Sequence, residues 1–184
     1  RLCRDWSSDV CSSDLTVLDL LITLALAALL AGIAIPNFTT LIRSQRAVAT
    51  VNELAAALNY ARHTAITRNS DMTLCKSADG KQCNHALGSW NAGWLIFQNL
   101  SHHSPPQVGT GEPILRVHGP LAPTVRVISN RDSFTFHPMG KRSVNGTLLY
   151  CSEDGNHDRA LIINVTGRIR LSDQPNTDTS LDCS

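Results

Sequence analysis

The chain has 184 residues, with 16 Lys or Arg and 15 Asp or Glu, so its formal net charge is +1. This length predicts one globular domain, with room for an appendage. Charged residues make up 17% of the sequence and aromatic residues 5%, which argues against a disordered solvating chain and a histone-like basic protein. Much of the apolar content lies in one block near the N-terminus. We therefore expect an anchor followed by a modest domain.

Residues 1–15 read RLCRDWSSDVCSSDL and contain no continuous apolar core, so they do not match a secretory signal peptide. The string RDWSSDVCSSDL is similar to the translation of a common sequencing-library adapter. We interpret residues 1–15 as a non-native artefact at a truncated gene start, and the alternative is a short polar leader. Without Cys3 and Cys11, four cysteines remain.

The next segment, 16–36, is almost entirely apolar. Between Val17 and Ile35 its only charged residue is Asp19. Its length comes close to the roughly 20 residues that cross a bilayer as a helix, and so small a domain could hardly bury a helix that is apolar all round. We therefore predict a transmembrane helix over 16–36, which Pro36 kinks or interrupts.

The segment 37–69 predicts a second helix with two unlike faces. Its apolar residues recur at steps of three and four, the period of an amphipathic helix. The apolar stripe comprises Val48, Val51, Leu54, Ala55, Leu58, Ala61, Ala65 and Ile66. This face needs a sheet to cover it, and the two helices together would form one long, nearly continuous rod.

Residues 70–184 are predicted to form a β-rich globular domain. Gly, Pro, Asn and Asp separate eight short apolar or alternating runs, as strands and turns require. The runs are Met72–Cys75, Trp94–Gln98, Ile114–Val117, Val125–Ile128, Ser133–His137, Thr147–Cys151, Ala160–Val165 and Arg168–Leu171. A long helix packed on an antiparallel sheet gives an α+β fold class.

The four remaining cysteines predict disulfide bonds and an oxidising compartment outside the cytoplasm. Spacing favours Cys75 with Cys83 and Cys151 with Cys183, although three connectivities are possible. Metal binding by Cys75, Cys83 and His85 is the rival interpretation, but it lacks paired C-x-x-C spacing.

The sequence contains no catalytic constellation. It lacks a nucleophile-elbow context and a phosphate-binding glycine loop. The pair His102–His103 is a metal candidate that is more typical of a solvated loop, and Trp90 and Trp94 are more typical of a core than of a ligand cage. We therefore predict that the protein is not an enzyme and holds neither a cofactor nor a metal.

The N-terminal segment resembles type IV pilins and pseudopilins, since an apolar stretch with one early acidic residue precedes A-I-P-N-F and an amphipathic helix. In that family a prepilin peptidase cuts the leader before a Phe, which is then N-methylated. Here Leu15 precedes Thr16, so the processing site is missing. The family's conserved glutamate aligns with Asp19 and its helix-breaking proline with Pro36. The resemblance implies an assembly role for both residues. In that role the Asp19 carboxylate pairs with the terminal amine of a neighbouring subunit, although its side chain is one methylene shorter than that of glutamate.

Later motifs resemble the GspH/FimT group of minor pilins. They are W-x-x-G-W-x-x-F at Trp90, Gly93, Trp94 and Phe97, and G-R-x-R at Gly167, Arg168 and Arg170. The resemblance implies a pilin fold and other pilin subunits as partners. It also implies a single-pass inner-membrane protein with a periplasmic domain, displayed on the cell-surface pilus after assembly.

Basic residues in the C-terminal half make DNA the second expected partner. On a strand Arg168 and Arg170 would point the same way, about 7 Å apart, and two forked guanidiniums suit backbone phosphates. In FimT-like minor pilins the G-R-x-R motif is associated with DNA capture in natural transformation. The resemblance thus implies phosphate contacts at Arg168 and Arg170 after a turn at Gly167, with Lys141 and Arg142 as weaker candidates. Such binding would be salt-sensitive and sequence-independent.

Two functional hypotheses follow. The first is a minor pilin that contributes to pilus assembly and binds extracellular DNA. The alternative is a purely structural minor pilin, or a GspH-like type II secretion pseudopilin, that primes fibre assembly without binding DNA. The anchor helix serves both hypotheses, whereas the pair Arg168 and Arg170 discriminates between them.

Overall fold

The computed structural model describes residues 16–123, 125–138, 143–152, 158–172, 181 and 183, without the side chains of residues 33, 35–37, 39, 40 and 43. The chain divides into two compact units, Arg1–Ile42 and Arg43–Ser184. The helix is α1 (Val17–Thr67). The strands are β1 (Met72–Lys76), β2 (Trp94–Gln98), β3 (Ile114–His118), β4 (Arg126–Ser129), β5 (Ser133–Phe136), β6 (Gly146–Cys151), β7 (Arg159–Ile163) and β8 (Ile169–Ser172). Each predicted strand is present within two residues of its expected ends, and the α+β fold class is confirmed.

Helix α1 begins with a reciprocal cap. The Asp19 backbone amide donates to Thr16 Oγ1 at 3.3 Å, and the Thr16 backbone amide donates to Asp19 Oδ2 at 3.1 Å. This is the capping-box arrangement, which satisfies backbone donors that lack partners in the first helical turn. Thr16 therefore fixes where the helix starts, and Asp19 has a local structural role at this end.

The helix continues through Pro36 as one element, in agreement with the nearly continuous rod predicted from the sequence. Of the kink or interruption predicted at Pro36, the interruption is wrong. A proline within a helix removes one backbone hydrogen bond, and the turns on either side remain helical. In the described residues, no helix is both long and apolar enough to cross a membrane. The transmembrane helix predicted over 16–36 is therefore not confirmed.

The second part of α1 supplies one wall of the main core. Its side chains Val51, Leu54, Leu58 and Ala61 are at most 3% exposed, and they pack in one cluster with residues of both sheets. The predicted apolar stripe accordingly faces the core through these residues, whereas Val48 and Ile66 are 40% exposed. The need of this stripe for a covering surface explains why helix and sheets fold together.

Two four-stranded antiparallel sheets complete the second unit. The first sheet has the order β3-β2-β1-β5 and the second the order β4-β6-β7-β8. Side chains of each strand alternate between two faces, so Met72 and Leu74 of β1 join the main core while Cys75 faces the other way. Each sheet therefore has an inner face on the main core and an outer face covered by other chain segments.

A disulfide bond lies on the outer face of each sheet. Cys75 is bonded to Cys83 in a small cluster with Leu95 and Phe97. Cys151 is bonded to Cys183, and this bond holds the end of the chain against the second sheet. These are the two pairs that the sequence spacing favoured among three connectivities.

Glu112 organises the long loop between β2 and β3. Its Oε1 accepts hydrogen bonds from the backbone amides of Leu100 and Ser101 at 2.6 and 2.7 Å, and its Oε2 accepts one from Gly109 at 2.7 Å. Burial alone would raise the pKa of the Glu112 carboxyl, but these donors outweigh burial and hold the pKa below its ordinary value of 4.5. The carboxylate thus joins the two ends of the loop.

We expect Glu112→Gln to lower the free energy of unfolding at pH 7 by about 1–2 kcal/mol, because a neutral amide replaces the charged acceptor of several hydrogen bonds. The native pKa is lowered, so the stabilisation from the charged carboxyl is complete above the unfolded-state pKa and is lost as pH falls through the native pKa. Urea unfolding of both proteins should therefore show a difference that shrinks below about pH 4. The control is Glu53→Gln, at a carboxyl that is 55% exposed; a difference for Glu112→Gln that stays constant down to pH 2 would contradict this role.

Candidate nucleic-acid interface

The turn between β7 and β8 positions the G-R-x-R motif. Asn164 Oδ1 accepts hydrogen bonds from the backbone amides of Thr166 and Arg168 at 3.1 and 2.9 Å. The Gly167 amide donates to the Asn164 carbonyl oxygen at 2.8 Å. Asparagine side chains commonly close turns in this way. The sequence Asn-Val-Thr-Gly therefore fixes the direction in which β8 leaves the turn.

Gly167 is required in this turn for two reasons. Its φ of +72° lies in the left-handed region, which residues with a Cβ atom rarely adopt. A Cβ atom built there would also lie 3.2 Å from Ser143 Oγ, 3.3 Å from Phe136 Cδ1 and 3.4 Å from Arg62 Nε. The backbone at Gly167 thus packs closely against β5 and α1.

Arg168 and Arg170 are exposed at the edge of the second sheet. Strand β8 is the last strand in that sheet, and Arg170 pairs with Ile162 of β7. Ile162 packs on the outer-face cluster, whereas Ile169 packs on the main core. Since paired residues share a face and alternate residues face opposite ways, Arg168 and Arg170 both point away from the core. The structure therefore brings together the two arginines and the glycine that the sequence singled out.

No ion pair joins Arg168 or Arg170 to a carboxylate among the described residues. Two acidic residues of the C-terminal half have partners elsewhere. Asp132 Oδ1 lies 2.6 Å from Lys76 Nζ, and Asp158 Oδ1 accepts a hydrogen bond from the Ser152 amide at 2.8 Å. Within the described residues, neither guanidinium is neutralised by a carboxylate. Lys141 and Arg142, the weaker candidates, lie outside the described residues.

The assembly candidates have a different setting. Asp19 belongs to the helix cap, where its Oδ2 also accepts a hydrogen bond from Thr16 Oγ1 at 2.8 Å. The side chain of Pro36 lies outside the described set. Around Asp19, the large apolar residues of α1 are widely exposed, among them Val17, Leu18, Leu29 and Leu30 at 62–74%. This surface far exceeds what isolated apolar residues on a soluble protein present.

Four histidines, His85, His102, His103 and His137, line a cavity of about 450 Å³ beside β5. His102 Nδ1 is 2.9 Å from Asp71 Oδ2, and His137 Nδ1 is 2.9 Å from Asp71 Oδ1 without hydrogen-bond geometry. Within the described ranges no three His, Cys, Asp or Glu residues are arranged to hold a metal ion. This cluster links three separate segments through one buried carboxylate.

The two tryptophans of the W-x-x-G-W-x-x-F motif are buried. Trp90 is 1% exposed and its Nε1 donates to the Arg131 carbonyl oxygen at 3.3 Å. Trp94 is 2% exposed and its ring stacks on His118 at 3.9 Å between centroids. This placement is the core role that the sequence favoured for both side chains.

Three arrangements were missed by reasoning from sequence. They are Arg62 beside Gly167, Asp71 between two histidines, and the buried Lys76 beside Asp132. Each joins residues that are far apart along the chain. Only the third left a signal in the sequence, because Lys76 is a charged residue in an otherwise apolar strand. Arg62 lies off the apolar stripe of α1, so the sequence indicated an exposed side chain and did not predict which residue it would contact.

The chain matches the sequence profile of the family described as type II transport protein GspH over residues 50–167, which is more than half of its length. This range ends at Gly167, immediately before the two arginines of the motif. No curated protein matches the chain significantly.

Solved structures give the same fold. Two crystal forms of the type IV minor pilin FimU from Pseudomonas aeruginosa PAO1 superpose on this chain with a TM-score of 0.51 each. They are 22% and 23% identical to it in sequence, and each match covers 74% of this chain. The matches cover 98% and 93% of the FimU chains. The likeness shows a pilin-like fold for this protein.

We expect Gly167→Ala to destabilise the protein by about 1–2 kcal/mol, because an alanine at positive φ carries backbone strain of that size and its methyl group would crowd three close neighbours. Thermal and urea unfolding measure the change. The matched control is Gly88→Ala, since an added Cβ there meets nothing within 4 Å. Equal stability of the two variants would show that the turn does not need glycine.

Proposed function

Because this chain belongs to the family of the type II transport protein GspH, we propose that it is a minor pilin of a type IV pilus that also binds extracellular DNA. The DNA contact lies at the edge of the second sheet, on Gly167, Arg168 and Arg170. In this proposal the fibre carries the sheet domain outside the cell, where DNA is captured for uptake in natural transformation. Lys141 and Arg142 are proposed as weaker contacts.

The exposed pair of Arg168, directly before β8, and Arg170, within β8, is the observation that carries the DNA proposal. Both guanidiniums face away from the core, lack ion pairs within the described residues, and follow a turn held by Asn164. Arginine presents a fixed fork of donors that matches phosphate oxygens. Phosphate contacts carry no base information, so the proposed binding is independent of sequence and weakens steeply with salt.

The pilin role is supported by the apolar surface at the start of α1. Side chains from Val17 to Leu30 are exposed in the described chain, and such a surface is stable only when an apolar partner covers it. We assign that cover to the equivalent helices of other pilin subunits in the fibre, and to the inner membrane before assembly. Processing of the intact precursor by a prepilin peptidase belongs to the same proposal.

The two disulfide bonds support a location outside the cytoplasm for the second unit. Disulfides form and persist in oxidising compartments and are rare in the cytosol. One bond pins a loop over the first sheet and the other pins the end of the chain over the second. We propose a periplasmic domain before assembly and a surface-exposed domain in the pilus.

A second candidate function is a type II secretion pseudopilin that primes fibre assembly without binding DNA. The description of the matched family as a type II transport protein favours it, and the match ends before the two arginines. The exposed apolar helix serves this role equally well. DNA binding at β8 is therefore the property that separates the two candidates.

We expect Arg168→Ala/Arg170→Ala to lower DNA affinity and to reduce the salt slope, log Kd against log salt, by about 0.9 for each phosphate that is no longer neutralised. Fluorescence anisotropy of a labelled duplex measures both quantities, with the full chain in a non-ionic detergent. Both substitutions are at exposed positions, so thermal stability should stay close to that of the parent.

The matched control is Arg126→Ala/Arg131→Ala at the opposite edge of the second sheet, three strand spacings or about 14 Å away. It removes the same charge and should leave the salt slope unchanged. Equal binding by the parent and Arg168→Ala/Arg170→Ala would place the contact elsewhere. Absence of binding at low salt would leave the structural pseudopilin as the function.

A further inference from the structure

We propose that Arg62 of α1 is a third phosphate contact of this DNA site, an inference that rests on the proposed function. Arg62 is 105 positions before Gly167 in the sequence, and no motif includes it. The fold brings its guanidinium against the turn that begins the G-R-x-R motif. The proposed site therefore combines one cation from the helix with two from the sheet edge.

Arg62 reaches the backbone of the turn at Gly167. Arg62 Nε lies 3.4 Å from the point that a Cβ atom of Gly167 would occupy. Consecutive Cα atoms are about 3.8 Å apart, so Arg62 approaches the backbone directly beside Arg168.

Arg62 has no protein partner in the part of the chain that the structure describes. It is partly buried beside Phe136 and Ser143, yet no hydrogen bond or ion pair to another described residue is found for it. Two other arginines of this unit do have partners: Arg116 lies 3.7 Å over the Tyr60 ring, and Arg131 Nε donates to the Asn145 carbonyl oxygen. Its guanidinium therefore has no described acceptor, and an arriving anion would supply charge-assisted hydrogen bonds there.

Arg62 also places a positive charge on the core-facing side of the sheet edge, opposite Arg168 and Arg170. Gly167 and Ile169 face the core and the helix, whereas Arg168 and Arg170 face outward. The start of β8 thus carries cations on both sides of one exposed backbone. A phosphate chain that crosses this edge meets Arg168 and Arg170 on one side and Arg62 on the other.

Arg62 differs from the two strand arginines in how firmly it is held. The aliphatic part of an arginine often packs on apolar surface while its charged end reaches solvent. Arg62 is partly buried and belongs to a helix whose neighbouring residues Leu58 and Ala61 are fully buried. Arg62 therefore loses less conformational entropy than an exposed arginine when it binds a phosphate.

The test compares Arg62→Gln, Arg62→Lys and the matched control Arg46→Gln in the full chain, in a non-ionic detergent, with a labelled duplex of about 20 base pairs as the probe. Arg46 is an exposed arginine of the same helix, 16 residues or about 24 Å away along the helix axis. Each variant is titrated between 50 and 200 mM salt, and its melting temperature is recorded. The parent and Arg168→Ala/Arg170→Ala are measured beside them.

We expect Arg62→Gln to weaken binding several-fold and to lower the salt slope by about 0.9, the value for one phosphate contact on duplex DNA. Arg62→Lys keeps the charge and should keep the slope, and Arg46→Gln should match the parent. The melting temperature should be the same for all three variants.

Two results would overturn the inference while the proposed function stands. In the first, Arg62→Gln binds DNA like the parent, although Arg168→Ala/Arg170→Ala does not. In the second, Arg62→Lys and Arg62→Gln lose affinity equally and both have a lower melting temperature than the parent. The second result would show that Arg62 only supports the turn. If Arg168→Ala/Arg170→Ala also binds like the parent, the proposed site itself fails and the role of Arg62 fails with it.

Discussion

The positive φ of Gly167 is the constraint on which the basic edge depends. A backbone in that conformation reverses direction within the turn that Asn164 closes, and this sets which residues of β8 face the core. Ile169 then packs inward, and Arg168 and Arg170 point outward. Arg62 Nε lies close to the same backbone. One glycine thus determines the orientation of two arginines, and a third arginine lies beside it.

The main core holds this edge in place. The second part of α1 packs against both sheets through residues such as Leu54 and Leu58, and close packing of that kind resists small displacements. The outer faces are fastened by the two disulfide bonds, one beside Leu95 and one at the end of the chain. The candidate DNA contact therefore lies on a sheet whose inner face packs on α1 and whose outer face carries a disulfide bond.

Much of the fold could be predicted because its signals are local. The period of the stripe around Leu54 predicted the helix that packs on the core, and alternating runs between turn residues predicted all eight strands. The interruption at Pro36 was wrong, since the loss of one hydrogen bond does not end a helix of 51 residues. Arg62 beside Gly167 and Asp71 between two histidines were unpredictable, because both arise from contacts between distant segments, for which periodicity gives no signal. Arg168 and Arg170 could be named in advance because they are two apart in a run predicted as a strand and belong to the G-R-x-R motif.

The most direct test of a phosphate-binding edge at β8 is to observe the arginine side chains while DNA is added. Nuclear magnetic resonance of the Nε–H groups, assigned by single substitutions in the full chain in detergent, reports each guanidinium separately. Addition of duplex DNA at low salt should shift the signals of Arg168 and Arg170, and higher salt should reverse the shifts. The signals of Arg126 and Arg131 at the opposite edge should stay in place. DNA binding with shifts at Arg126 and Arg131, and none at Arg168 and Arg170, would contradict the proposed site.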